Sequence, residues 1–176
     1  AAVWPGMQPV SGVGDINGDG LDDFLIGAPY ADPNGLSDAG TSYLVFGTVE
    51  GALTSLNLSS LNGTNGFALH GLAARDRSGF IASAAGDVNG DGFGDLLIGT
   101  YGADPNGSDS GQSYLVFGGL TNLNTLDTAG GSAADGQINL AALNGTTGYV
   151  LNGIATGDFA GWSDRKSTRL NSSHRT

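Results

Sequence analysis

The sequence predicts an all-β protein made of repeated four-stranded units. Three observations carry this: abundant Gly with few apolar residues, an internal repeat, and short apolar runs set between Gly, Asn and Asp clusters. Gly accounts for 32 of the 176 residues and apolar types for 39%. Inside a helix each Gly costs about 1 kcal/mol against Ala, so long helices are disfavoured. Tight turns between short strands use the positive φ that Gly reaches freely.

The repeat is explicit. GDINGDG at 14–20 returns as GDVNGDG at 86–92, a shift of 72 residues. Tyr43-Leu44-Val45-Phe46-Gly47 returns as Tyr114-Leu115-Val116-Phe117-Gly118. Asp32-Pro33-Asn34-Gly35 returns as Asp104-Pro105-Asn106-Gly107, and Leu61-Asn62-Gly63-Thr64 as Leu143-Asn144-Gly145-Thr146. The second copy predicts strands over Ser78–Ala85, Leu96–Gly99, Ser113–Phe117 and Gly148–Leu151, the last matched earlier by Gly66–Leu69. Four strands per repeat is the anatomy of a propeller blade.

Gly71 matches Gly153 at a shift of 82, so the second connector is longer by 11 residues. The extra segment includes Thr128–Ala134, small residues expected to form a surface loop without chemistry. A third repeat opens with Gly153–Asp158 and Gly161-Trp162 but then fails, since Arg169 stands where the next acidic loop should begin. The expected organisation is a first blade over 1–71, a second over 72–153, the start of a third over 154–163, and a non-native tail over 164–176. Four of the six basic residues lie in that tail, and its run DRKSTRLNSSH also reads as a translated sequencing adapter.

The charge balance is acidic, 17 Asp and Glu against 6 Lys and Arg, which leaves no basic footprint for nucleic acid. With no Cys, disulfides and thiolate metal sites are excluded. No stretch is apolar enough to insert in a membrane as a helix. The chain starts at Ala1 with no signal-peptide pattern, and is expected to begin within something longer.

The acidic residues gather in two loops, and both fit D-x-N-x-D-G-x-x-D. Loop one offers Asp15, Asn17, Asp19, the Leu21 carbonyl and Asp23. Loop two offers Asp87, Asn89, Asp91, the Phe93 carbonyl and Asp95. Oxygen-bearing side chains at positions one, three and five converge when the backbone curls, and the Gly at six permits the turn. An all-oxygen shell in a flexible loop favours Ca²⁺ over Mg²⁺, with two sites expected. No His or Cys is present in either loop to favour zinc. An EF-hand would need Glu at position twelve, where this chain has Ile26 and Ile98 inside apolar strands. The bland alternative is a metal-free Asp/Gly turn.

The spaced ligands followed by Gly27-Ala28-Pro29 resemble the FG-GAP repeat of integrin alpha chains and their bacterial relatives, over essentially residues 1–163. That resemblance implies blades of a seven-bladed propeller, with a calcium loop joining two strands of each blade at the ten positions named above. It covers about two and a half blades, so the propeller here is incomplete. The sequence departs from the family pattern at Gly99-Thr100-Tyr101, and at Ser78-Gly79 and Ala160-Gly161, where Phe80 and Trp162 come one place late.

A non-enzymatic structural and adhesive module is therefore expected, extracellular, with the remaining blades and an extracellular protein or glycan as partners. The alternatives are a fragment of a propeller hydrolase or lyase, and a sugar-binding propeller. For an enzyme the candidates are His70 and the carboxylate pairs Asp32/Asp38 and Asp104/Asp109, more simply read as packing and turn residues. For sugar stacking they are Trp4, Tyr30 and Tyr101, more simply read as core between blades.

Overall fold

The computed structural model of the chain describes residues 10–49 and 55–162. Two sheets dominate it. The first contains β1 (Val10–Gly14), β2 (Asp23–Ala28), β3 (Thr41–Val45) and β4 (Gly66–His70), each antiparallel to its neighbour. The second repeats this with β5 (Ile81–Gly86), β6 (Asp95–Thr100), β7 (Gln112–Val116) and, last in the chain, β9 (Gly148–Asn152). These are two propeller blades, and the sheets do not close on each other into a barrel or ring.

Alternation along the strands explains the pairing. Leu25, Leu44 and Phe67 stand opposite one another across β2, β3 and β4, and all three are fully buried. In the second blade Ile98 and Tyr114 enter the same core as a pair, one residue out of step with Leu25 and Leu44 and so on the opposite sheet face. One core cluster contains residues of both blades, from Val13 and Leu25 to Ile98 and Val116. The blades are thus packed face to face rather than strung on a linker.

Each first hairpin carries the same irregularity. The register shifts between Gly12 and Gly14 in β1, and between Ala84 and Gly86 in β5. Gly14 and Gly86 have φ of 74° and 77°, a conformation that favours Gly. The bulge turns the chain out of the strand and into the acidic loop.

The long second connector is more structured than a surface loop. It holds a helix, α1 (Leu120–Asp127), whose Leu123 and Leu126 are fully buried in the common core. It then supplies β8 (Gln137–Ile138), which pairs in parallel with β4. The first sheet therefore has a fifth strand, donated by the second repeat. Thr128–Ala134 itself lies at the surface, as expected.

Gly161 and Trp162 fold back onto the second blade. Trp162, Tyr101 and Phe80 form an aromatic cluster with ring centroids 4.7–5.3 Å apart. Tyr101, which departs from the Gly-Ala-Pro pattern, is thereby placed in the seam where the third repeat starts. Trp4 and the tail over 164–176 lie outside the described residues.

Candidate functional site

Loop one, residues 15–23, joins β1 to β2. Asp15 folds its carboxylate back over the loop and accepts from the amides of Gly18 (2.7 Å), Asp19 (3.1 Å) and Gly20 (2.9 Å). Asn17 Oδ1 accepts from the Asp19 amide at 2.9 Å, and Asn17 Nδ2 donates to Asp19 Oδ2 at 2.9 Å. Asp19 Oδ1 accepts from the Leu21 amide at 2.8 Å. Asx side chains bonding backbone amides two or three residues on are what sequences of this type favour locally.

Asp23 does something different. It is 1% exposed and opens β2. One oxygen accepts from the Ile16 amide and the other from the Gly47 amide, both at 2.8 Å. It thus ties the start of the loop to the chain that leaves β3. Burial pushes its carboxyl above the usual range, and the backbone amides of Gly47, Ile16 and Asn17 partly offset that.

Loop two, residues 87–95, repeats every one of these bonds. Asp87 accepts from Gly90, Asp91 and Gly92, and Asn89 Oδ1 from Asp91. Asn89 Nδ2 donates to Asp91 Oδ2, and Asp91 Oδ1 accepts from Phe93. Buried Asp95 accepts from Val88 at 2.7 Å and Gly118 at 2.9 Å.

The donor chemistry of the loops fits a hard cation, since every candidate ligand is an oxygen. A carboxylate offers about four acceptor directions, and Asp15 uses three and Asp19 two on the hydrogen bonds above. Among the described residues no three His, Cys, Asp or Glu side chains lie close enough to form a metal cluster by themselves. The structure therefore brings the five positions of each loop into one curl without closing a carboxylate cage.

The other sequence candidates have structural work. His70 Nδ1 lies 3.0 Å from Thr41 Oγ1 on the neighbouring strand, and burial lowers its pKa, opposed by the Gln137 side chain. Its counterpart Asn152 makes the same cross-strand bond with Gln112, at 2.6 Å. Asp32 and Asp104 brace their turns by accepting from the amides of Asp38 and Asp109. Tyr101 is 7% exposed within the aromatic cluster, whereas Tyr30 is 47% exposed.

Sequence reasoning missed three further carboxylates. Asp76 accepts from the Ala73 amide, and Asp158 accepts from those of Ile154 and Ala155. They occupy the same place in the opening turns of two repeats, and that repetition was the available signal. Asp127 ends α1, is 1% exposed, and accepts from the amides of Gly136 and Gln137. Nothing in its sequence neighbourhood marked it. Among the described residues no helix is long and apolar enough to cross a membrane.

Comparison with known proteins bears on both loops. The FG-GAP repeat family matches residues 10–45 and 80–116. Each match starts in or beside the first strand of a blade, contains one acidic loop and ends on the third strand. Integrin alpha-PS2 of Drosophila melanogaster is 37% identical over 108 residues. That alignment covers 59% of this chain and 7% of the integrin.

Proposed function

The chain carries FG-GAP repeats of the integrin alpha-like kind, and from that premise we propose that it is a calcium-binding structural and adhesive module of a larger extracellular β-propeller. The observation that carries this reading is the duplication of the loops. Eight hydrogen bonds recur at equivalent atoms in loop one and in loop two. A turn needed only to reverse the chain does not require three carboxylates and an amide in both copies.

Asp15, Asn17, Asp19, the Leu21 carbonyl and Asp23 would hold one ion, and Asp87, Asn89, Asp91, the Phe93 carbonyl and Asp95 the other. Bound calcium would offset the repulsion among the three carboxylates of each loop. Asp23 and Asp95, already fixed by two amides each, anchor the curl to the sheet. The loops that join the first two strands of each blade would then be held rigid, leaving the propeller's faces to meet a protein or glycan. Extracellular calcium modules bind at about 10⁻⁴–10⁻³ M, which suits a secreted or cell-surface setting.

The enzymatic and sugar-binding alternatives have less behind them. His70 and the paired carboxylates brace strands and turns, and Tyr101 is packed rather than presented.

Calorimetric titration of Ca²⁺ into the chain, with folding followed by circular dichroism, tests the reading. Two weak sites are expected, one lost in Asp19→Ala and the other in Asp91→Ala. A folded chain that takes up no calcium would reduce the loops to plain turns.

A further inference from the structure

The two loops are alike in their own hydrogen bonds but not in what covers them. In loop one, Ile16 at position two is fully buried. Its counterpart in loop two, Val88, is 54% exposed. The Phe93 ring of loop two lies directly over Gly18 of loop one, with its Cε1 2.5 Å from where a Gly18 Cβ would stand. Around Gly90, the counterpart of Gly18, nothing among the described residues lies within 4 Å of that point.

Two further contacts join the loops. The Gly119 amide donates to the Ile16 carbonyl at 2.7 Å. Its neighbour Gly118 donates to Asp95, the last acidic position of loop two. The Ile16 side chain and the Val13 carbonyl also reach Gly94, each about 3.1 Å from the place of a Gly94 Cβ. Loop one is thus closed on one side by loop two, through Phe93, Gly94 and the Gly118-Gly119 pair.

We propose that loop two braces loop one through Phe93 and the Gly118-Gly119 pair, so that the acidic loops form a coupled row in which cation binding at one strengthens binding at the other. The proposal rests on the calcium reading for its ligand. Its structural half, that loop one is held by loop two, stands without any ion. The physical basis is that a loop already ordered by its neighbour has less conformational entropy left to lose when it binds. Coupling of this kind is reciprocal, and commonly amounts to about 5- to 150-fold in affinity. Within this chain loop one is then the tighter site. Asp22, exposed beside Asp23, adds charge to loop one where loop two has Gly94, but removing Phe93 leaves that charge untouched.

The test uses the whole chain and Phe93→Ala, which keeps the position-seven carbonyl of loop two. In Ca²⁺ calorimetry, the site abolished by Asp19→Ala is expected to weaken by about fivefold or more in Phe93→Ala. A loss confined to the site abolished by Asp91→Ala, or no change, overturns the proposal. Amide hydrogen exchange in chelator provides an arm without metal. Gly18, Asp19 and Gly20 are expected to exchange several-fold more slowly than Gly90, Asp91 and Gly92, and Phe93→Ala to erase that difference. Phe93→Leu, which restores an apolar cover, is expected to return most of the protection. Equal exchange in the two loops of the unaltered chain overturns the bracing. If the chain binds no calcium but shows the exchange difference, the calcium reading fails and the bracing stands.

Discussion

The carbonyl oxygen of Gly79 lies against the Cα of Gly27, leaving no room for a Cβ between them. Gly161 meets Gly99 in the same way one blade later. The Gly79 amide also donates to the Gly99 carbonyl of its own blade at 3.2 Å, so the start of the second repeat is held between the second strands of the two blades. The Gly of Gly27-Ala28-Pro29 is there to let two backbones touch. Gly27→Ala is expected to cost about 2 kcal/mol, as overpacking of a closed seam does. Urea unfolding would show it as a lower midpoint. Gly12→Ala, at an exposed position with nothing among the described residues within 4 Å of the new carbon, is expected to change stability by about 0.5 kcal/mol or less.

Burial raises the pKa of Asp76, the Ala73 and Leu72 amides partly offset it, and the charge of Asp104 adds to the rise. Tyr114, raised itself by burial, also faces it. A carboxyl raised on folding adds stability that is fully present below its unfolded pKa of 3.8. That contribution is lost as pH rises through the higher folded value. Asp23 behaves likewise, again chiefly through burial. In chelator, Asp76→Asn is expected to flatten the fall in stability on the alkaline side of pH 4. Melting temperature against pH, for both proteins, would check the sign. A steeper fall in the variant would contradict it.

The Tyr114 hydroxyl is buried and has no hydrogen-bond partner among the described residues, in a residue 1% exposed. A hydroxyl left unpaired in a core costs about 1–3 kcal/mol. Tyr114→Phe removes it without changing the ring's packing. The variant is expected to be more stable by about 1 kcal/mol, seen as a higher melting temperature. A drop would mean that the hydroxyl has a partner in solution.

What the sequence disclosed was what repeats or acts locally. The acidic loops and the strands on either side of them recur at the same shift, and the bonds of Asp15, Asn17 and Asp19 reach no further than five residues along the chain. Periodicity and ligand spacing read such features directly. The connector was not legible. Leu120, Leu123 and Leu126 recur every three residues, yet the Thr and Asn between them and the Gly on either side obscure so short a helix. β8 is two residues long and takes its partner from another repeat, so no local pattern specifies it. The dependence of loop one on Phe93 is a contact between repeats 72 residues apart in register, invisible to a reading that treats each loop as self-sufficient.

Asp127 holds the donated strand in place. It accepts from the Gly136 amide at 3.1 Å and the Gln137 amide at 2.9 Å, and the Gly136 carbonyl then accepts from Ala68 in β4 at 2.8 Å. Asp127→Ala leaves the Gly136 amide without its acceptor and the Gln137 amide with Asp135 Oδ1 alone, at about 1–3 kcal/mol for an amide that stays buried and unpaired. Release of β8 relieves that cost and uncovers the outer edge of the first blade. Hydrogen exchange at Ala68 is expected to quicken by tenfold or more, since about 1.4 kcal/mol of local stability is worth tenfold in opening. Because an open edge is a template for pairing with another chain, the variant is also expected to aggregate at lower concentration. Unchanged protection at Ala68 would show that burial of Ile138 and Leu140 suffices to hold the strand.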